Sequence, residues 1–459
     1  MSRQTDFSRI GPNLILATTV ALIVAFAALL VRIGADAQWL AALGHVIATR
    51  HAIPTGVPFA AAPTSHWPNV LVLAELIFNG LERALGDRGL MLAQLLAVAV
   101  AMVVLVRDAR AGAAAAAGTC AALLLAAVGA MPSLAIVRVQ LFSLVLFPVL
   151  VALLRAQTRQ PSQAIWLVVP LLALWSNLHG AALLGVGVVV AYLLLCRFRR
   201  DWLLAVGVAG ASVVALCLTP ALARTVAYYH GVVTNLAAQR GEGQWGPLSL
   251  SAPLDLVLIA AALLLVIRVW RGRAELWEWC VIVALAALTI HASRNGVWLL
   301  FFLVAPAARG IIEKRSWQAL VPIVAVASVG AICFAVLRGP ASAGATRSLV
   351  AGAVVLAHGS PVLANGAIDE QVALAGGRIE VGNPIDAFSR PEQAMYLDWL
   401  AGDASGRRAL APAVRVVLVS RGSPTQTLMA HTPGFAPAGG DRTTAIYERA
   451  PGSLLADVP

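Results

Sequence analysis

The chain has 459 residues, of which 60% are hydrophobic and 12% charged, with a formal net charge of +11 and a mean hydropathy of +0.83. A soluble globular protein carries roughly a quarter of its residues as charges, so this composition excludes one and specifies a polytopic membrane protein. The positive balance does not call for nucleic acid, because the arginines cluster in short loops between apolar segments, where they set topology.

Apolar segments run over 13–34, 89–106, 112–131, 136–154, 164–176, 180–196, 202–221, 253–269, 276–292, 295–308 and 317–337, which makes about eleven spans. Most approach the 17 to 25 residues that a crossing needs. Two, 164–176 and 295–308, are short, and each adjoins a neighbour across a polar knot, Asn177-Leu-His179 and Ser293-Arg-Asn295. The first segment follows Arg3 and Arg9 and precedes Ala35-Asp-Ala37, which has the form of a signal cleavage site, but the apolar run exceeds a typical signal core.

The long polar loop 35–89 separates the first two segments. Hydrocarbon cannot accommodate its carboxylates, histidines and prolines, so it belongs at a membrane face. Trp39, Leu40, Leu43 and Ile47 recur there at helical spacing, which predicts an amphipathic helix along the interface with Asp36 near its start.

A cytoplasmic N-terminus places Arg107, Arg110, Arg155, Arg159, Arg197, Arg199, Arg200, Arg268–Arg273 and Arg309–Arg315 inside, as the positive-inside rule requires. Trp166, Trp202, Trp270, Trp277, Trp279 and Trp317 then fall at the inner boundary. The outer face receives Asp36 and its loop, Arg138-Val-Gln140, Asn177-Leu-His179, the loop 222–252 with Glu242-Gly-Gln-Trp245, Arg294-Asn295 and all eight histidines.

Beyond Arg338 the apolar runs stop and charges of both signs appear. The reading is a membrane domain over 1–337, a Gly/Ala/Ser-rich linker at 338–345, and a small extracytoplasmic α/β domain at 346–459. Strands are expected at 378–381, 414–419 and 444–447, and a helix at 391–400 that opens on Pro391.

Several outer residues carry candidate chemistry. Asp36 is either a base that takes a proton from an acceptor hydroxyl or a first-turn acid serving the helix dipole. Arg138, Arg224, Arg240 and Arg294 lie near outer helix ends, against the charge rule, and guanidinium groups there match phosphate geometry; headgroup binding or snorkelling is the plainer alternative. Asn177 and His179 could contact substrate or merely satisfy loose backbone groups. His51 and His66 lack companions at ligand spacing, so no protein-bound metal is assigned, and a divalent cation stays open as a cofactor. The five cysteines have no zinc or redox spacing, and no Walker loop, dinucleotide fingerprint or Gly-x-Ser-x-Gly elbow is present.

With these residues in view, the chain resembles the GT-C superfamily of polytopic membrane glycosyltransferases, in its poorly characterised bacterial branch. Asp36, Trp39, Gly44 and Ile53-Pro54 match the first-loop pattern, and Arg138-Val-Gln-Leu-Phe-Ser143, Trp175-Ser-Asn-Leu-His-Gly180, Glu242-Gly-Gln-Trp245, Arg294-Asn295 and Pro384-Ile-Asp-Ala-Phe388 follow in order. The chain departs from similar sequences at Thr55-Gly-Val-Pro-Phe59 and after Trp67, where acids are usual.

The resemblance implies a GT-C-like, mainly α bundle that transfers sugar from a polyprenyl-phosphate donor to a lipid or glycan acceptor on the outer face of the bacterial cytoplasmic membrane. Asp36 would be the catalytic base, Arg138 and Arg294 would hold the donor phosphate, and Trp39, His66, Gln140, Asn177, His179, Glu242, Trp245 and Asn295 would contact substrate. The competing reading is a non-catalytic lipid-linked sugar transporter or envelope scaffold. Spans almost purely apolar at their centres favour surface chemistry over passage.

Overall fold

The computed structural model describes residues 11–64, 66–272, 274–309, 320–341 and 344–450. Arg3, Arg9, Arg273, Arg315, Trp317 and part of the linker lie outside them. The protein is mainly helical, and its larger sheet among the described residues has four strands.

Every apolar segment read from the sequence contains a helix, from Pro12–Leu30 to Val321–Arg338. Five, Pro12–Leu30, Asp87–Ala111, Leu141–Arg159, Pro253–Gly272 and Val321–Arg338, are long and apolar enough to cross a membrane on length and composition alone. Some of the helices begin on side-chain caps. Asp201 accepts the N–H of Leu204, and Glu275 with Glu278 closes a reciprocal capping box before Leu276–His291.

The chain folds into two compact units. The first comprises the chain to Val31, Met91–Leu218 and Gly243–Pro340. Its core is Gly296–Ala308, whose residues are all buried, which is why a helix this short is apolar on every side. Close approach needs small residues: a Cβ on Gly129 would come within 2.8 Å of Ala261 and of Leu300. Leu263, Leu264, Ile323 and Val326 are exposed, as lipid-facing side chains must be.

The second unit comprises Arg32–Leu90, Thr219–Glu242 and the chain from Ala341 onward. The tail beyond residue 346 therefore shares a unit with most of the loop 35–89. In its sheet, Val362–Ala364 pairs parallel with Val416–Ser420, which pairs antiparallel with Thr444–Arg449, and Phe435–Gly440 completes the far edge. The segment 378–381, expected as a strand, contributes only single bridges from Ile379 to Ala60 and Val362. The expected helix is Arg390–Ala401, with Pro391 in its first turn and a Ser389/Glu392 capping box.

The loop helix Ala37–Arg50 buries Trp39, Leu40, Leu43 and Ile47. The apolar stripe expected to face lipid is thus packed within protein. Gly44 makes this packing tight, because a side chain there would collide with the backbone carbonyl of Glu75 on the helix Val72–Leu85.

Candidate functional site: a guanidinium cleft and an acidic cluster

In the first unit, an open cleft of about 220 Å3 is lined by Arg138, Gln140, Asp255, Ser293 and Arg294 among its polar residues. Three helices start at its wall. Gln140 is the residue before Leu141–Arg159, Leu254 and Asp255 open Pro253–Gly272, and the turn Ser293–Asn295 leads into Gly296–Ala308. Helix starts present unpaired N–H groups and the positive end of the dipole, so three of them beside two guanidinium groups make a setting for an anion.

Arg294 lies over the Trp245 ring, 3.4 Å from its centroid. The Trp245 segment is tied to this turn by backbone hydrogen bonds, Ser293 N–H to Gly246 O at 3.0 Å and Leu248 N–H to Ile290 O at 3.1 Å. The indole thus supports the guanidinium plane from one side. Asp255 accepts the N–H of Ser249 at 2.9 Å, which orients its carboxylate within its own helix turn.

His179 is fixed through Ser143. The Trp175 indole donates to Ser143 Oγ at 2.6 Å, and the same oxygen lies 2.6 Å from His179 Nδ1. An indole can only donate, so Ser143 Oγ accepts from Trp175, and the direction of its bond with Nδ1 is set by the His179 tautomer. Asn177 Nδ2 donates to the carbonyls of Ala173 and Leu218 at 2.8 and 2.7 Å, and Asn295 Nδ2 donates to that of Leu288 at 3.1 Å. Both amide nitrogens are spent on helix ends.

The second unit holds the remaining candidates. Asp36 is half-buried, adopts a left-handed conformation at φ 78, and makes no side-chain cap for Ala37–Arg50. That work falls to Glu370, which the sequence reading did not single out. Its Oε1 accepts the Asp36 N–H at 2.7 Å and Asn383 Nδ2 at 2.7 Å, and its Oε2 accepts the N–H groups of Gln38 and Trp39 at 3.2 and 3.4 Å. A carboxylate from far along the chain therefore caps the loop helix. The Asp36 carboxylate instead meets the Trp39 indole, 3.5 Å from Oδ1.

Trp39 packs edge-on to Trp67 with ring centroids 6.2 Å apart, and Trp67 donates to Asp386 Oδ2 at 2.9 Å. Glu75 is fully buried, with Oε2 accepting from Asn69 at 2.9 Å and Oε1 without a hydrogen bond. Burial raises the Glu75 carboxyl to about 8 and, with the Asp36 charge nearby, raises Glu370 to about 7. Asp386 is shifted upward too, chiefly by burial. Desolvation dominates in each case because the partners are neutral donors. Asp369, beside Glu370, is buried among Asn383 and Tyr396 and is likewise raised.

His66 is exposed, and its carbonyl accepts from Arg224 at 3.0 Å. Glu242 lies 3.6 Å from Arg240, which pairs with Asp398 at 2.7 Å. Of the predicted residues, then, the cleft gathers Arg138, Gln140 and Arg294, with Trp245 beneath Arg294. Asp36 and Trp39 share the acidic cluster. Asn177, Asn295 and Glu242 serve helix ends or ion pairs. Asp386 lies in Pro384-Ile-Asp-Ala-Phe388, and its bond to Trp67 joins that motif to the cluster. Among the described residues, no group of three His, Cys, Asp or Glu side chains is placed to hold a metal.

No family model matches the sequence, and no curated protein does. Solved structures do. The chain aligns over 96% of its length, and 98% of the other chain, with the crystal structure of ArnT from Cupriavidus metallidurans bound to undecaprenyl phosphate, at a TM-score of 0.54 and 16% identity. The apo ArnT structure aligns with 95% of this chain and 97% of its own at a TM-score of 0.46 and 15% identity. The cryo-EM structure of the arabinofuranosyltransferase AftD from Mycobacteria covers 94% of this chain and 41% of its own, at 0.48 and 14%. At such identities the likeness to the first is one of fold alone.

Proposed function

We propose that this protein transfers a sugar from a polyprenyl-phosphate donor to an acceptor hydroxyl on the outer face of the bacterial cytoplasmic membrane. The observation that carries the reading is the cleft that Arg138 and Arg294 share with three helix starts. Its support is the fold, shared with a protein whose structure holds undecaprenyl phosphate.

Arg138 and Arg294 are assigned to the donor phosphate and to the charge it gains as the bond to the sugar breaks. Asp36 is assigned the acceptor proton, taken while the acceptor oxygen forms its bond to the anomeric carbon and the polyprenyl phosphate leaves. Displacement in line inverts that carbon. Trp39, His66, Gln140, His179 and Trp245 are assigned to sugar and acceptor.

The accompanying topology has eleven crossings, a cytoplasmic N-terminus and an outer C-terminus, and rests on the arginine distribution. Purified protein incubated with a panel of polyprenyl-phosphate sugars and membrane glycan acceptors should release polyprenyl phosphate as product forms with inverted configuration. Tags after Arg110 and Arg200 should report cytoplasm, and a C-terminal tag the outside. A cytoplasmic tail, or binding of every donor with turnover of none, would contradict the reading.

A further inference from the structure

Asp36 occupies the position just before the helix Ala37–Arg50, where an aspartate ordinarily turns its carboxylate back onto the N–H groups two and three residues on. Here it does not. Those two N–H groups, of Gln38 and Trp39, go to Glu370 Oε2 at 3.2 and 3.4 Å, and the N–H of Asp36 itself goes to Glu370 Oε1 at 2.7 Å. Ordinary capping also needs an extended backbone, whereas Asp36 sits at φ 78 and ψ −20, in the left-handed region that residues other than glycine rarely enter. Such a conformation persists only where its surroundings hold it.

Two routes hold Asp36, and both return to the segment 383–386. Through the backbone, Glu370 accepts the Asp36 N–H and is itself fixed by Asn383 Nδ2 at 2.7 Å. Through the side chain, the Trp39 indole lies 3.5 Å from Asp36 Oδ1, Trp39 packs edge-on to Trp67, and Trp67 donates to Asp386. All of these residues belong to the second unit. Glu370 is buried, so whatever it does for a substrate it does through another residue.

We propose that Glu370 is the positioning residue of Asp36: by taking over the helix cap and holding the Asp36 N–H, it relieves the Asp36 carboxylate of capping and fixes the backbone that presents it to the acceptor hydroxyl. The proposal rests on the assignment of Asp36 as the base. A helix in need of a cap alone would be served by Asp36 itself. A carboxylate brought from more than 330 positions along the chain to do the same work marks Asp36 as reserved for another task. The tail beyond residue 346 then belongs to the transfer machinery, because it supplies both Glu370 and Asn383.

The test is a double-mutant cycle on the full-length protein, with transfer from the undecaprenyl-phosphate derivatives of arabinose, mannose and glucose measured in parallel. Glu370→Gln turns one acceptor into a donor and cannot serve all three N–H groups, so it should lower kcat about tenfold with KM for the donor unchanged. Asn383→Ala, a milder change that keeps the test open if Glu370→Gln does not fold, should lower kcat about threefold. In an Asp36→Asn background each should change kcat by less than about twofold, because a residue that acts through Asp36 has nothing left to position. A side chain needed only for folding would lower the rate by the same factor in both backgrounds, and that result would overturn the proposal, as would a parent kcat in Glu370→Gln. An Asp36→Asn variant at the parent rate, or a parent that transfers none of the three sugars, would instead remove the reading on which the proposal rests, so the two failures are told apart.

Discussion

The guanidinium cleft of the first unit and the acidic cluster of the second hold their charged groups by opposite means. Arg138 and Arg294 are half-buried at an open cleft, positioned by helix starts and by the Trp245 ring. Glu75, Glu370 and Asp386 are held by neutral donors, namely Asn69, Asn383, backbone N–H groups and Trp67. A guanidinium stays charged at any physiological pH, so the cleft is tuned by position alone. A carboxyl buried among neutral donors is tuned by desolvation, so the cluster is where charge depends on pH.

The comparison is broken most severely at Glu370. Glu370→Ala would strand the N–H groups of Asp36, Gln38 and Trp39 together with Asn383, and should cost about 4 kcal/mol in a denaturation series, at roughly 1–2 kcal/mol per lost hydrogen bond. Glu370→Gln, which keeps an acceptor of the same shape, should cost clearly less. Equal losses would mean that packing rather than capping is the role of this side chain.

Next in size is Asp36→Asn. It preserves shape and removes the basic oxygen, and should lower turnover about 10²-fold or more while donor binding survives. A parent rate in this variant would move the base elsewhere, with Glu75 and His66 the residues to examine.

The pH dependence is a smaller effect. The carboxyl of Glu75 is raised from 4.5 to about 8, so the stability it contributes is fully present below about 4.5 and is lost as pH rises through about 8. The parent should therefore lose thermal stability between pH 5 and 8.5. Glu75→Gln should flatten that slope, and an unchanged slope would assign the titration to another acid. The smallest effect is expected at Trp245→Ala, which removes the support beneath Arg294 and should weaken donor binding by about fivefold, within the range of a partly exposed cation–π contact.

What the sequence made legible follows the same division. The helices were readable because lipid-facing and core-facing side chains are both apolar, so every long run had to be one. Arg138 and Arg294 stood out because arginine at a helix end expected outside runs against the charge rule, and both line one cleft. Glu370 did not, because Ile368-Asp-Glu-Gln371 looks like the solvated face of a helix, and its partners at the start of the loop helix lie more than 330 positions away. The stripe of Ala37–Arg50 was read correctly as apolar and assigned the wrong neighbour, since periodicity reports a buried face without saying whether lipid or protein buries it. The edge strand Phe435–Gly440 carries Pro437 and two glycines, a composition that reads as loop and is tolerated only at an edge.

The most direct test of the central claim is the affinity of the purified protein for undecaprenyl phosphate, measured for the parent and for Arg138→Gln with Arg294→Gln. The account predicts that binding weakens at least about 100-fold in the double variant, since two charge-assisted phosphate contacts are lost, while Asp36→Asn binds like the parent. Equal affinity in the parent and the double variant would contradict it.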